Sequence, residues 1–94
     1  MKLRKLARGR DCQIRIPFVC NRNPETTVLA HYRLSGFAGT GQKPSDLLGA
    51  WACSACHDAV DGRARSDLPR DLVLLYHAEG VMRTLIALEL EHVI

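Results

Sequence analysis

The chain has 94 residues, 47% hydrophobic but only 5% aromatic, with a formal net charge of +3. That length predicts one domain that gains from an added staple such as a metal, and the aromatic content excludes a large aromatic core. No apolar run reaches the ~18 residues of a membrane-spanning helix, and the basic N-terminus lacks the roughly 7–15-residue apolar segment of a secretory signal. The chain is therefore expected to be cytoplasmic, where thiols stay reduced.

Residues 1–10 read as a basic lead-in with helical potential. From Cys12 to Cys20 the pattern Ile14, Ile16, Phe18 alternates loosely, and Pro17 limits it to an edge or irregular strand. Asn21-Arg22-Asn23-Pro24 is turn chemistry, and Thr27–Tyr32 is rich in β-forming residues and predicts the first strand. Ser35–Ser45, with three glycines and Pro44, predicts a long loop; Ala50-Trp51-Ala52 predicts a second short strand. A short helix is expected after Cys56, ending near Gly62. A longer helix then follows, capped by Ser66 or Asp67 with Pro69 in its first turn. Its apolar residues fall on two sides, Leu72, Leu75, Met82 and Leu85 on one and Leu74, Val81 and Leu88 on the other. So wide an apolar surface predicts burial on two sides or a side kept for a partner subunit.

Charge is divided along the chain. Residues 1–43 hold nine Lys/Arg against Asp11 and Glu25, whereas residues 44–94 hold four basic and eight acidic residues. A basic half suits contact with phosphate, although Lys2, Arg4, Lys5, Arg8 and Arg10 also fit a solvated tail. The glycine-rich loop does not make a phosphate-binding P-loop, because Gln42 stands where the lysine belongs and no βαβ unit surrounds it.

In a reduced compartment four cysteines read as metal ligands rather than disulfides. Cys53-x-x-Cys56 has the spacing of a zinc knuckle, in which two thiolates on one turn each reach the metal at ~2.3 Å. Cys12 and Cys20, with seven residues between them, are left to complete a closed and therefore structural site. Cys53–His57 also matches the c-type haem signature, but haem attachment normally follows export and leaves Cys12 and Cys20 without a role. His57 and Asp61, four apart on the short helix, share a face and can hold one divalent cation, Mg²⁺ or Mn²⁺, with positions open for phosphate and water; taken alone they fit equally an exposed helix-start histidine and an ordinary surface acid. His31 ends the first strand, on the opposite face from Ala30 and Tyr32. His77 and His92 lack partners at metal spacing and read as surface or packing residues. Tyr32 and Trp51 are candidates for base stacking or, more simply, for the core.

The order strand-ending histidine, long loop, short strand, CxxCH and helix is that of a ββα-metal nuclease. The sequence resembles the YbcO family of lambdoid prophage proteins, small HNH-like nucleases with zinc cysteines, and more distantly a RecA-dependent recombination-enhancing phage nuclease. The resemblance spans nearly the whole chain. It rests on Leu3-Arg4-Lys5, Ala7-Arg8-Gly9-Arg10, Cys12, Arg15-Ile16-Pro17, Val19-Cys20 and Asn23-Pro24-Glu25-Thr26. It continues through Leu29-Ala30-His31, Gly39-Thr40-Gly41, Lys43-Pro44, Asp46 and Ala52-Cys53-Ser54-Ala55-Cys56-His57-Asp58.

What the resemblance implies is an α+β fold, a zinc-stapled ββα-metal domain with a C-terminal packing helix. One domain over 1–94 is expected, with a basic arm (1–11), a zinc-bound core (12–62) and a helix (66–92). The resemblance makes His31 the general base and His57 a ligand of the catalytic cation. Many HNH enzymes carry a metal ligand where Ala30 stands here, and Asp61 is expected to substitute for it. The Asn that commonly orients the base has Asp46 as its nearest polar counterpart. Arg10, Arg15, Arg33 and Lys43 are expected to meet the DNA backbone. Implied partners are DNA and a recombinase such as RecA, and a homodimer through the C-terminal helix is a further expectation. The alternatives are a non-catalytic zinc module that binds DNA or a recombination protein, and a host-targeting adaptor using the last helix.

Overall fold

The computed structural model describes residues 3–34, 45–64 and 66–94. The predicted glycine-rich loop and Lys43 therefore lie outside the described residues. The chain is a small mixed α/β domain: helix α1 (Leu3–Ala7), strands β1 (Val28–His31) and β2 (Gly49–Ala52), and helices α2 (Ser54–Val60) and α3 (Arg70–Leu90). One-turn 3₁₀ segments, Pro24–Thr26 and Asp46–Leu48, precede the strands, each capped by a side-chain oxygen, Asn23 and Ser45 respectively. Among the described residues no helix is long and apolar enough to cross a membrane.

β1 and β2 pair antiparallel with Leu29 opposite Trp51, Ala30 opposite Ala50 and His31 opposite Gly49. Because side chains alternate across a strand, this register separates two faces. Leu29 and Trp51 join Leu3, Ala7 and Leu88 in one apolar cluster. Ala30, Ala50 and Ala52 face the larger one, with Ile14, Ile16, Ala59, Val60, Val73 and Val81. Alanines on that face let α2 and α3 approach the thin sheet closely.

The segment after α1 is not the strand expected from its alternation. Ile14 and Ile16 are fully buried, but Arg15 and Phe18 adopt positive φ (58° and 63°), which an extended ladder does not allow. Its polar backbone is satisfied elsewhere: Gln13 N–H donates to the Trp51 carbonyl at 2.7 Å, and the Arg83 guanidinium donates twice to the Gln13 carbonyl, at 2.9 and 2.7 Å. On the same outer edge of β2, the Trp51 N–H donates to Thr84 Oγ1 at 2.9 Å. The outer edge of β2 is thus closed by Thr84 of α3 and by the N-terminal segment.

Of the two apolar sides expected on α3, Val81 and Leu88 of one are buried and Leu75 and Met82 of the other are exposed. The helix begins at Arg70, later than a cap at Ser66 or Asp67 would give, while the Ser66 hydroxyl accepts from Leu68 N–H in the preceding turn. Its buried residues are Val73, His77, Gly80, Val81, Thr84 and Leu88, one stripe at helical spacing. Leu75, Met82, Ile86 and Leu90 are exposed. Hydrophobicity alone reveals only part of the stripe because two polar residues on it are satisfied internally: His77 Nε2 meets the Ala30 carbonyl at 2.9 Å and Thr84 Oγ1 donates to the Gly80 carbonyl at 2.8 Å.

Candidate functional site

The four cysteines converge. Their sulfur atoms lie within 4.8 Å of one another, and Cys20 and Cys53 are 3.8 Å apart. A tetrahedral metal with ~2.3 Å bonds to sulfur sets its ligands about 3.8 Å apart, so the group could hold a metal such as zinc. Cys12, Cys53 and Cys56 are buried and Cys20 half-buried. Cys53 caps α2, its sulfur accepting from the N–H of Cys56 and from that of Asn21, both at 3.4 Å. The hydrogen bond from Cys56 holds the Cys12 thiol down at about 4 against the desolvation of burial, aided by backbone hydrogen bonds from Arg15, Cys53 and Ile14. The same bond and burial push Cys56 up, and burial raises Cys20 to about 11. Peptide N–H groups aimed at sulfur favour the thiolates a metal requires.

A second group of residues forms around the end of β1. His31 Nε2 lies 2.7 Å from Asp46 Oδ1; the antiparallel register and the 3₁₀ turn before β2 bring them together across fifteen residues. Arg4 stands 3.9 Å from the same carboxylate oxygen. On α2, His57 Nε2 lies 3.1 Å from Asp61 Oδ2, as the spacing of one helical turn predicts. Two ligands at adjacent corners of an octahedron with ~2.1 Å bonds are about 3 Å apart, so this pair fits a divalent cation. Arg63 adjoins the pair, its Nη2 3.1 Å from Asp61, 3.2 Å from Asp58 and 3.3 Å from His57 Nδ1. Asp61 and Gly62, the latter at φ +77°, end α2. Arg70 anchors that end by donating to the Ala59 and Val60 carbonyls at 3.2 and 2.6 Å.

The two histidines share a groove of about 550 Å³ walled by Arg4, Lys5 and Arg8. A neighbouring concavity of about 490 Å³ brings His31 together with Asp61, Arg33, Arg63 and Arg70. Of the cations expected to face DNA, Arg33 lines this concavity. Arg15 lies elsewhere, its guanidinium bonded to the Cys12 carbonyl and Gln13 Oε1. Arg10 is used within the fold: it pairs with Glu91, donates to the Leu6 carbonyl and lies 5.1 Å over the Trp51 ring. Trp51 is buried in the core, whereas Tyr32 is partly buried, packing against His77 with ring centroids 5.2 Å apart and lining the concavity beside His31. Arg4, Lys5 and Arg8, for which the sequence leaves phosphate contact and a solvated tail both open, line the histidine groove, and Arg63 and Arg70, not singled out in the sequence, line the neighbouring concavity. For Arg63 a signal was present, since it stands two residues after Asp61 at a glycine-terminated helix end.

The family model described as "Putative nuclease YbcO" matches residues 1–93. The chain belongs to the YbcO family. It is 69% identical over 61 residues to "Putative nuclease YbcO" of Escherichia coli (strain K12), an alignment covering 65% of this chain and 64% of that protein. It matches "Putative nuclease ybcO" of Enterobacteria phage 82 to the same extent. The aligned region thus spans about 64% of the length of these curated YbcO relatives. A solved structure, "Structure of a putative bacteriophage protein from Escherichia coli str. K-12 substr. MG1655", is similar with a TM-score of 0.83 at 47% identity, covering 97% of this chain and 100% of that one. The family name is that of a nuclease, and a phage relative stands beside the bacterial one.

Proposed function

We propose that the protein is a metal-dependent DNA endonuclease or nickase of the HNH type, stapled by a structural zinc ion on Cys12, Cys20, Cys53 and Cys56. The observation that carries this reading is the convergence of two His–carboxylate pairs, His31–Asp46 and His57–Asp61, on one surface walled by cations. The order β1, β2, α2, with one histidine ending the first strand and the other on the helix, supports the ββα-metal assignment.

In this mechanism Asp46 accepts from His31 Nε2–H, which fixes the tautomer and leaves Nδ1 with the lone pair that takes a proton from the attacking water. His57 and Asp61 hold the catalytic cation, Mg²⁺ or Mn²⁺, which supplies Lewis-acid charge at the scissile phosphate when bound. Arg4, Lys5, Arg8 and Arg33 meet the flanking phosphates, a contact indifferent to sequence. A role in phage recombination, with a recombinase such as RecA as partner, is part of the same proposal and rests on the resemblance of the chain to a RecA-dependent nuclease.

A second reading is a zinc module that binds DNA without cutting it. It is favoured by Ala30, which is buried and offers no ligand beside His31, its carbonyl already taken by His77. Plasmid nicking by zinc-loaded protein with Mn²⁺, together with Mn²⁺ binding followed by electron paramagnetic resonance, separates the two. The nuclease reading expects nicking that His31→Ala abolishes without loss of Mn²⁺ binding, and that His57→Ala and Asp61→Ala abolish together with it. Salt-sensitive DNA binding with no nicking and no Mn²⁺ site favours the binding module.

A further inference from the structure

Between Cys12 and Cys20, both part of the metal cluster, the chain forms a braced projection whose outer residues serve neither the cluster nor the proposed nuclease site. Its base is fixed: Ile16 is fully buried, Val19 and Cys20 donate to the Ile16 carbonyl at 3.1 and 2.9 Å, and both ends carry cysteines of the metal cluster. At its tip stands Phe18, whose relative exposure of 110% means that nothing in the fold covers the ring. Among the described residues it is the fully exposed aromatic, whereas Trp51 is buried and Tyr32 and Tyr76 are partly so. Phe18 also holds φ 63°, and the arginines on either side, Arg15 and Arg22, hold φ 58° and 55°. A bulky side chain in the left-handed region is unfavourable, and a glycine there would relieve the cost. A fold that keeps a strained, uncovered phenyl ring at a rigid tip gains nothing in stability from it.

Beside the ring is a cavity of about 380 Å³ whose rim carries Asp11, Arg15, Phe18 and Arg22 and whose wall is completed by Ile16, Pro17, Pro24 and the metal-cluster cysteines Cys12 and Cys20. That is the small end of ligand-sized pockets, roughly 300–1,000 Å³. Arg15 is steadied at its rim by the Cys12 carbonyl and Gln13, bonds that use its Nε and Nη2, and Arg22 is exposed. A flat apolar ring flanked by two cations, with a carboxylate within the cavity, is complementary to a nucleotide. The ring stacks on a base face, the guanidiniums meet the adjoining phosphates, and Asp11 accepts from a base amino group. Two exposed arginines beside the ring favour a polyanionic strand as the occupant over an apolar protein surface.

We infer that Phe18, Arg15 and Arg22 form a docking site for an unpaired base of single-stranded or locally opened DNA. This inference deepens the proposal that DNA is the substrate. It predicts that the protein prefers DNA with accessible bases over a fully paired duplex.

The test is binding of zinc-loaded protein to a fluorescent oligonucleotide, without added Mg²⁺ or Mn²⁺ so that cleavage plays no part. The probes are a single strand, the same length with an abasic run, and the paired duplex. Stacking on one base predicts that Phe18→Ala weakens single-strand binding about 5- to 150-fold, while Phe18→Trp retains it and duplex binding barely changes. Arg22→Ala should weaken binding and lower its salt dependence by about one counterion. Phe18→Gly should melt at the wild-type temperature or above while losing the single strand, a combination that a merely structural phenylalanine would not give. Wild-type protein that binds the abasic strand as tightly as the base-bearing one overturns the inference, as does a Phe18→Ala variant with unchanged single-strand affinity. Phe18-dependent binding in a protein that fails to nick plasmid supports this site and sinks only the nuclease reading. Protein that binds no DNA at all removes both.

Discussion

His31 and Asp46, fifteen residues apart, meet with Nε2 2.7 Å from Oδ1 at the point where β1 ends and β2 is about to begin. The contact orients the imidazole, and Asp46 in turn faces Arg4 from α1. Asp46→Asn should therefore keep the fold and reduce kcat for nicking about tenfold or more with KM nearly unchanged. His31→Ala should cost on the order of 10²–10⁴, the usual worth of a positioned general base. Steady-state nicking rates for the two variants check the pair, and an Asp46→Asn enzyme with wild-type kcat would show that the contact does not orient the base.

The cysteine cluster predicts one tightly held zinc ion per chain, measurable by native mass spectrometry and a colorimetric zinc assay. Much of the core is reached through it, because the cluster ties the segment carrying Ile14 and Ile16 to the start of α2. Stripping the metal with a strong chelator should abolish cooperative melting, as in other small domains whose metal binding is folding energy. Cys12→Ser and Cys56→Ser, at buried positions, should be more damaging than Cys20→Ser, at a half-buried one.

His77 predicts a dependence of stability on pH. Burial lowers its pKa from the usual 6.5, opposed by the hydrogen bond to the Ala30 carbonyl. A histidine with a depressed folded-state pKa contributes stability that is complete above 6.5 and is lost as pH falls through that value toward the folded pKa. Urea midpoints should accordingly decline between pH 7.5 and pH 6.0, and His77→Gln should be less stable at pH 7.5 but lose less across the same interval. Parallel slopes for the two proteins would assign the decline to other groups.

Gly80 lies inside α3, where alanine is ordinarily better by about 1 kcal/mol. Here a Cβ would approach Ile14 Cγ1 at 2.9 Å, and the Gln13 carbonyl oxygen and Ile14 Cα at 3.2 Å. Two of those three are backbone atoms held in place by Arg83 and Trp51, so they do not yield easily. Gly80→Ala should destabilise by roughly 1–3 kcal/mol, the usual cost of overpacking. A denaturant midpoint at or above wild type would show that the N-terminal segment shifts to accommodate it.

Much of the site is legible in the residues themselves, where its chemistry is local. Cys53 and Cys56 reach one metal because three residues span one turn, and His57 and Asp61 share a face because 3.6 residues complete it. The strands at Val28–His31 and Gly49–Ala52 follow from short β-prone runs between turn residues, and the reduced thiols point to a metal before any fold is known. The family itself could be read from local motifs along the chain.

Other features depend on packing, and no local pattern encodes them. The Cys12–Cys20 alternation reads as a strand, yet Arg15 and Phe18 turn left-handed because the segment must cross α3 at Gly80 and return to the metal. α3 buries His77, Gly80 and Thr84 while exposing Leu75, Met82, Ile86 and Leu90, since the sheet edge it covers needs hydrogen-bond partners and close approach more than it needs bulk. The assignment of cations was also a tertiary matter: Arg10 was drawn inward by Glu91 and Trp51, while Arg63 and Arg70, passed over in the sequence, came to line the histidine site. Residue type and spacing determined which atoms could do chemistry. Only the folded chain decided which faced one another, because those distances are set by contacts between segments far apart in sequence.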